Sequence, residues 1–390
     1  MKFKDVVGQE TIKKQLIQTV STNRISHAQL FVGPTGSGKL ATALAYAQYI
    51  NCKNPTQNDS CGECSSCIKY EKLAHPDLHF IFPVNKTKDI TDTKVYSSLF
   101  YEQWRSFLQE TGYYPTLNDW YDYIKIEKKQ GFINAEEADN INNILAYKAY
   151  EAKYKVLIIW MADKMNITAA NKLLKNLEEP PKNTLFILIT EDKNSLLETI
   201  LSRTQTVQFN KIDDNSITNA VKPLVDDIQR CEQISLLANG NFSEAYKLAM
   251  LYKNDETNVL SENFIVFRDW MREIYRVGKN FSYYEQLQGI IEIIVADGNR
   301  EKIKNFFTYC LYIMHICLNY NVGNTKIGHF EGEETEFISA FSKFIHKNNI
   351  HLFETEINKA ILHIERNANP LIVITDLSLS FSQIIHITDK

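Results

Sequence analysis

The chain has 390 residues, 44% of them apolar and 12% aromatic, which is enough for two or three domains with cores of their own and too hydrophobic for a disordered protein. Its 43 basic and 47 acidic groups leave a net charge of −4, so a wrapper of nucleic acid acting through a global positive field is excluded. The longest nearly apolar run, Phe306 to Leu318, is interrupted by Thr308, Tyr309 and His315 and falls short of the ~18–20 residues a membrane span needs. No apolar secretory stretch of ~7–15 residues follows Met1, so a reducing cytoplasm is expected, where cysteines have uses other than disulfides.

In chain order, Glu10 to Thr22 spaces its apolar residues three and four apart, as a helix does, and Ala28 to Val32 is a short apolar strand. Leu40 to Ile50 and Ala162 to Leu177 read as further helices, and Leu78 to Phe82, Val156 to Ile159 and Thr184 to Ile189 as further strands. Such alternation predicts an α/β domain over residues 1–209, built on a parallel sheet. The segment 86–150, rich in Lys, Tyr and Trp, separates two of these strands and is longer than an ordinary crossover, so an inserted helical subdomain is expected. Residues 210–250 read as two or three short helices. Residues 251–390 read as an all-α bundle, with helical spacing at Phe264 to Met271, Glu285 to Ala296, Lys302 to Leu318, Phe337 to His346 and Phe353 to Ile364, and a polar loop at Asn319 to Glu334.

Gly33-Pro34-Thr35-Gly36-Ser37-Gly38-Lys39 lies between a strand and a helix, the context that makes a glycine pattern a phosphate cradle. Gly33, Gly36 and Gly38 let backbone N–H groups converge on phosphate oxygens, and Lys39 can reach the terminal phosphates. The next residue should carry a hydroxyl for magnesium, yet it is Leu40; Thr42 lies about 200° further round the helix. The strand Val156 to Ile159 should end in an acidic pair and ends in Trp160-Met161. Asp163, nearby, is expected as an N-terminal residue of the following helix. With metal ligand and general base both missing, no catalytic Mg2+ and no nucleotide hydrolysis are expected, while binding of ATP stays open.

Cys52, Cys61, Cys64 and Cys67 form a C-x8-C-x2-C-x2-C pattern with turns at Pro55 and Gly62. Four thiolates in so short a stretch suit a closed structural Zn2+ site, with an iron–sulfur cluster as the alternative. His75 and His79 are expected as ordinary turn and strand residues, and Cys231, Cys310 and Cys317 as buried core thiols.

Val7-Gly8-Gln9-Glu10, Ser26-His27-Ala28-Gln29-Leu30-Phe31, the phosphate loop, the four cysteines, Leu173-Leu174-Lys175-Asn176-Leu177-Glu178-Glu179-Pro180-Pro181 and Leu201-Ser202-Arg203-Thr204 follow one another in this order. Over its first 250 residues or so the sequence thereby resembles the bacterial clamp-loader subunits of DNA polymerase III. The missing magnesium and base residues resemble the catalytically inert branch of that family rather than its ATP-hydrolysing branch. The resemblance implies an AAA+ core, a small helical lid and a C-terminal collar domain in a hetero-oligomeric ring. It implies as partners the ATP-active tau/gamma subunits, the clamp-opening delta subunit, and the sliding clamp and primed DNA within the complex. It further implies that Arg203 is an arginine finger serving a neighbouring subunit's nucleotide in trans, although Thr204 stands where the family has cysteine. Ser243 occupies the place of the arginine that active subunits carry in the lid. Glu178 and Glu179 receive no chemistry, since a helix end stopped by prolines accounts for them.

Two other readings stay open. One is a catalytically active clamp-loader ATPase whose metal ligands come from unusual positions. The other is a zinc-dependent DNA-binding module using Lys125, Lys128 and Lys129 among Tyr121, Tyr123 and Phe132, residues that a solvated helix face explains as well.

Overall fold

The computed structural model describes residues 1–388 except 89, 91–93, 127–129, 254–257, 297–299 and 322–332. The α-helices and strands along the chain are α1 (Glu10–Ser21), β1 (Ala28–Val32), α2 (Lys39–Ile50), α3 (Ser65–Glu71), β2 (Leu78–Ile81), α4 (Tyr101–Glu110), α5 (Leu117–Tyr123), α6 (Ala135–Ala146), β3 (Lys155–Trp160), α7 (Ile167–Glu178), β4 (Thr184–Thr190), α8 (Glu198–Leu201) and β5 (Gln205–Gln208). Helices then follow: α9 (Asp214–Val221), α10 (Ile228–Ala238), α11 (Phe242–Lys253), α12 (Asn258–Lys279), α13 (Tyr284–Val295), α14 (Arg300–Asn321), α15 (Glu333–Phe341), α16 (Ile350–Glu365) and α17 (Pro370–Ile384). Two compact units result, Met1–Pro223 with Ala238–Ala249, and Leu224–Leu237 with Met250–Lys390.

The first unit is organised by a parallel sheet in the order β2-β3-β4-β1-β5. Every residue of β1, β3 and β4 is buried, because helices cover both faces of a parallel sheet and leave no side of the strand for polar residues. The expected α/β architecture is therefore present. β5 was not anticipated: Gln205, Thr206 and Gln208 are exposed at the sheet edge, so the strand lacks an apolar run and is specified only by pairing with β1. The expected helix at Ala162 to Leu177 begins later, at Ile167, where the Asn166 side chain accepts the Ala169 N–H.

Among its described residues, the segment between β2 and β3 carries α4, α5 and α6, and its core is continuous with the sheet. Trp104 and Trp120, from α4 and α5, are fully buried. The Trp104 ring stacks on Phe82 with centroids 4.2 Å apart and meets Trp160 at 5.0 Å, while Trp120 Nε1 donates to the Pro83 carbonyl at 2.8 Å. The segment closes on Asp77, whose carboxylate accepts the N–H groups of Tyr150, Glu151 and Ala152 at 2.6–2.9 Å.

The second unit contains helices and no strand among its described residues. Its core gathers on Trp270 of α12, whose ring contacts Phe306 and Phe381 and whose Nε1 donates to Ser378 Oγ at 2.9 Å. Cys231, Cys310 and Cys317 are fully buried, as expected. α17 went unanticipated because Ile372-Val373-Ile374-Thr375 is a β-branched run. Its buried Val373, Ile374, Leu377, Phe381 and Ile384 nevertheless share a helical face, and Asn369 caps it ahead of Pro370. The helix expected to reach His346 ends at Phe341 in a short 3-10 turn, Ser342–Phe344. Most of the expected loop Asn319 to Glu334 lies outside the described residues.

Trp104→Ala should cost about 3–5 kcal/mol. Because the insertion and sheet share a core, the loss should appear in urea unfolding as a lower midpoint and as faster hydrogen exchange in β3 as well as α4. Exchange in β3 equal to that of the unsubstituted chain would show an insertion that packs independently.

Candidate functional site

The phosphate loop leaves the C-terminal end of β1, between β4 and β5, the position at which α/β sheets bind ligands. Gly36 and Gly38 adopt φ of +68° and +85°, which turns the loop into α2 and is accessible to glycine without strain. The cradle is thus formed, but it is filled from within. Lys39 Nζ donates to the carbonyls of Gly33 (2.7 Å) and Pro34 (2.6 Å). Leu40 is buried, and with Trp160, Met161, Tyr113, Tyr114, Pro115 and Glu191 it lines a residual cavity of about 20 Å³. That is room for about one water molecule. Thr42 is fully buried, its Oγ1 has no partner, and it does not line the cavity.

Asp163 departs from its expected role as a helix N-terminal residue. It sits in a 3-10 turn, Ala162–Lys164, and accepts a hydrogen bond from Thr190 Oγ1 at 2.9 Å. Glu191 accepts from Thr35 Oγ1 at 2.8 Å. Both carboxylates act on Lys39 through space, but burial dominates and pulls the ammonium from 10.5 down to about 8.

Cys52, Cys61, Cys64 and Cys67 come together with all four Sγ atoms within 4.8 Å of one another. Cys52 and Cys61 Sγ are 3.5 Å apart, and Cys61 and Cys67 Sγ 3.9 Å. A tetrahedron with Zn–S of about 2.3 Å has S···S edges of about 3.8 Å, so the four side chains fit such an ion. The loop is moored to the N-terminus: Lys2 Nζ donates to the Cys61 carbonyl, and Asp59 accepts the N–H groups of Phe3 and Lys4. His75 and His79 stand outside the cluster; His75 packs against Tyr70, and His79 lies in β2.

Arg203 follows α8, well separated in sequence from the loop and the cysteines. Its Nη1 donates to the Thr199 carbonyl (2.9 Å) and Ser202 Oγ (3.1 Å), and its Nη2 pairs with Glu178 Oε1 at 2.7 Å. Glu178, assigned no chemistry from the sequence, is thus the ion-pair partner of Arg203. Tyr114, which touches the cradle, has no signal in the sequence, whereas Asn241 and Phe242 stand just ahead of Ser243, the lid position to which the resemblance points. Lys125 ends a helical turn with φ of +54°, whereas Lys128 and Lys129 lie outside the described residues.

Fold and site together define an α/β phosphate-loop module with an appended four-thiolate loop and a cradle in which Leu40 follows the phosphate-loop lysine. The family model described as "DNA polymerase III, delta subunit" matches residues 8–213, more than half of the chain. The chain belongs to this family of clamp-loader subunits. It is 32% identical to DNA polymerase III subunit delta' of Bacillus subtilis over 250 residues, 64% of this chain and 60% of that protein. It is also 29% identical to subunit tau of the same organism over 253 residues, 63% of this chain and 37% of that protein. The chain therefore spans between about a third and two thirds of the length of these relatives. A solved gamma subunit-related protein of Thermotoga maritima aligns over 96% of this chain and 99% of its own, at 14% identity and a TM-score of 0.44. No helix among the described residues is long and apolar enough to cross a membrane.

The Lys39 shift carries a sign. The folded chain releases this proton near pH 8 and the unfolded chain near 10.5, so between the two the unfolded state holds more protons and stability rises with pH. Lys39→Met should remove that rise. Denaturant titrations at pH 7 and pH 10 should show the variant gaining less stability than the parent over this interval, by on the order of 1–3 kcal/mol. Parallel pH profiles would show a lysine that is not desolvated.

Proposed function

We propose that the chain is a non-catalytic, delta-prime-like subunit of the DNA polymerase III clamp loader, supporting ATP-driven loading of the sliding clamp onto primed DNA. On this reading residues 1–209 are an AAA+ core, with a zinc module at 52–67 and the insertion at 86–150, residues 210–250 a helical lid and residues 251–390 a collar that joins the ring. Its partners are tau/gamma and delta. The observation that carries the reading is the cradle: Leu40 and Trp160-Met161 stand where a magnesium-dependent hydrolase needs a hydroxyl and an acidic pair, and the remaining cavity is about 20 Å³. Similarity to tau as well as to delta' is common to both branches, and the missing ligands are what favours the delta-prime reading.

Within this reading Arg203 is the group that acts, in trans. Its guanidinium is partly exposed and is presented by three fixed partners, Thr199, Ser202 and Glu178. A cation so placed can stabilise charge developing on a phosphate bound by the adjoining subunit, although its own cradle performs no hydrolysis. Support for a structural Zn2+ comes from the mutual spacing of the four thiols. The ion would tie a coreless loop to α2 and the N-terminus, with no open position for a substrate.

Reconstitution with an ATP-active subunit tests the first role. Arg203→Ala should lower DNA-stimulated hydrolysis by roughly tenfold or more, toward the ~10³–10⁵ that trans-acting arginines contribute elsewhere. Equal rates would remove the trans role, and turnover of ~1–100 s⁻¹ by the purified chain alone would favour the ATPase reading. For the metal, elemental analysis should find one zinc per chain, and chelation or Cys61→Ser should lower the thermal midpoint by several degrees; a metal-free chain of unchanged midpoint would end the zinc assignment.

A further inference from the structure

The insertion between β2 and β3 reaches the phosphate loop at one place. Gly112-Tyr113-Tyr114-Pro115, between α4 and α5, passes over the cradle, and Tyr114 is buried there. Its hydroxyl accepts the Val7 N–H at 2.8 Å, and its ring edge lies where a side chain on Gly38 would meet it at 3.3 Å. The same ring meets Phe242, at the start of α11, edge to face with centroids 4.6 Å apart. α11 is in turn joined to the phosphate loop directly. The Phe242 N–H donates to the Gly36 carbonyl at 3.2 Å, and Asn241 Oδ1 would lie only 1.7 Å from a Cβ at Gly36.

Further along α11 two more contacts return to the insertion. Tyr246 packs on Gly112, and Lys247 Nζ pairs with Asp119 Oδ1 at 2.9 Å. That lysine is half-buried and also pairs with Glu244 of its own helix at 3.2 Å. The hydrogen bond and ring contact of Phe242 and, one turn further on, the contacts of Tyr246 and Lys247 thus all join α11 to the loop and the insertion, and all of them belong to the first unit.

We propose that the insertion supplies the cradle with an occupant of its own: Tyr114 fills the space between the phosphate loop, the Val7 amide and Phe242, and the Asp119–Lys247 pair bolts α11 closed without nucleotide. The idea rests on the reading of the cradle as a non-hydrolysing site and gives that site a physical state, permanently latched. A module held so does not change shape as nucleotide comes and goes. It offers its neighbour a fixed surface.

The test uses the full chain with ADP as the probe, in the absence of magnesium, and hydrogen exchange of α11 as the second readout. The unsubstituted chain should show no ADP binding at ~1 mM, and Tyr114→Ala should acquire it. Amides of 242–249 should exchange at least ~10-fold faster in Tyr114→Ala and in Asp119→Asn, with β3 and β4 unchanged. Equal ADP binding by parent and Tyr114→Ala, or equal α11 exchange in all three chains, overturns the proposal. If Tyr114→Ala does not fold, Asp119→Asn exchange decides alone. Magnesium-ATP turnover by the unsubstituted chain would instead sink the non-hydrolysing reading, so the two failures are separable.

Discussion

Lys39 is a cation buried beneath the loop that should offer it to phosphate, and much of the first unit is arranged around satisfying it internally. A desolvated ammonium must find oxygen partners or lose its charge, and here the carbonyls of Gly33 and Pro34 accept from it while Glu191 and Asp163 supply opposing charge. Those carboxylates are fixed by hydroxyls at the ends of neighbouring elements, Thr35 and Thr190. The loop, the end of β4 and the turn after β3 therefore form one polar network under an apolar cover of Leu40, Trp160 and Met161. A triphosphate entering such a site would have to draw Lys39 away from those carbonyls.

The N-terminal segment links this network to the cysteine loop. Gln9 Nε2 donates to the Ser37 and Asn210 carbonyls, while residues 2–4 are held by Cys61 and Asp59. The loop is further held to α2, where Gln48 Nε2 donates to Ser60 Oγ at 2.8 Å. On the proposed reading the metal does no chemistry. It would stiffen the segment that the cysteine loop tethers at Lys2, Phe3 and Lys4.

Much of the α/β core was legible because buried parallel strands are written as uninterrupted apolar runs: Ala28 to Val32 coincides with β1, and the other three anticipated strands differ only at their ends. The cysteine cluster was legible because metal-type spacing is local in sequence. β5 was not, since an edge strand of polar residues is defined by its partner alone. α17 was hidden by β-branched residues whose helical conformation is fixed by tertiary burial. Asp163 was placed one element too late because the cap that starts α7 is Asn166, three residues beyond it.

The sequence by itself determined which groups are missing: a leucine where magnesium needs a hydroxyl, and Trp160-Met161 where an acidic pair belongs. Those are facts about residue type at a fixed offset from a motif, and folding does not alter them. Only the tertiary structure decided what took their place. Tyr114 lies 76 positions from Gly38, Asn241 lies 205 from Gly36, and Glu178 lies 25 from Arg203, and no local pattern encodes such meetings. They arise because folding of the parallel sheet brings distant segments together, Tyr114 and Asn241 at the phosphate loop and Glu178 with Arg203 at the opposite, N-terminal ends of β4 and β5, where van der Waals contact and charge act only over a few ångströms.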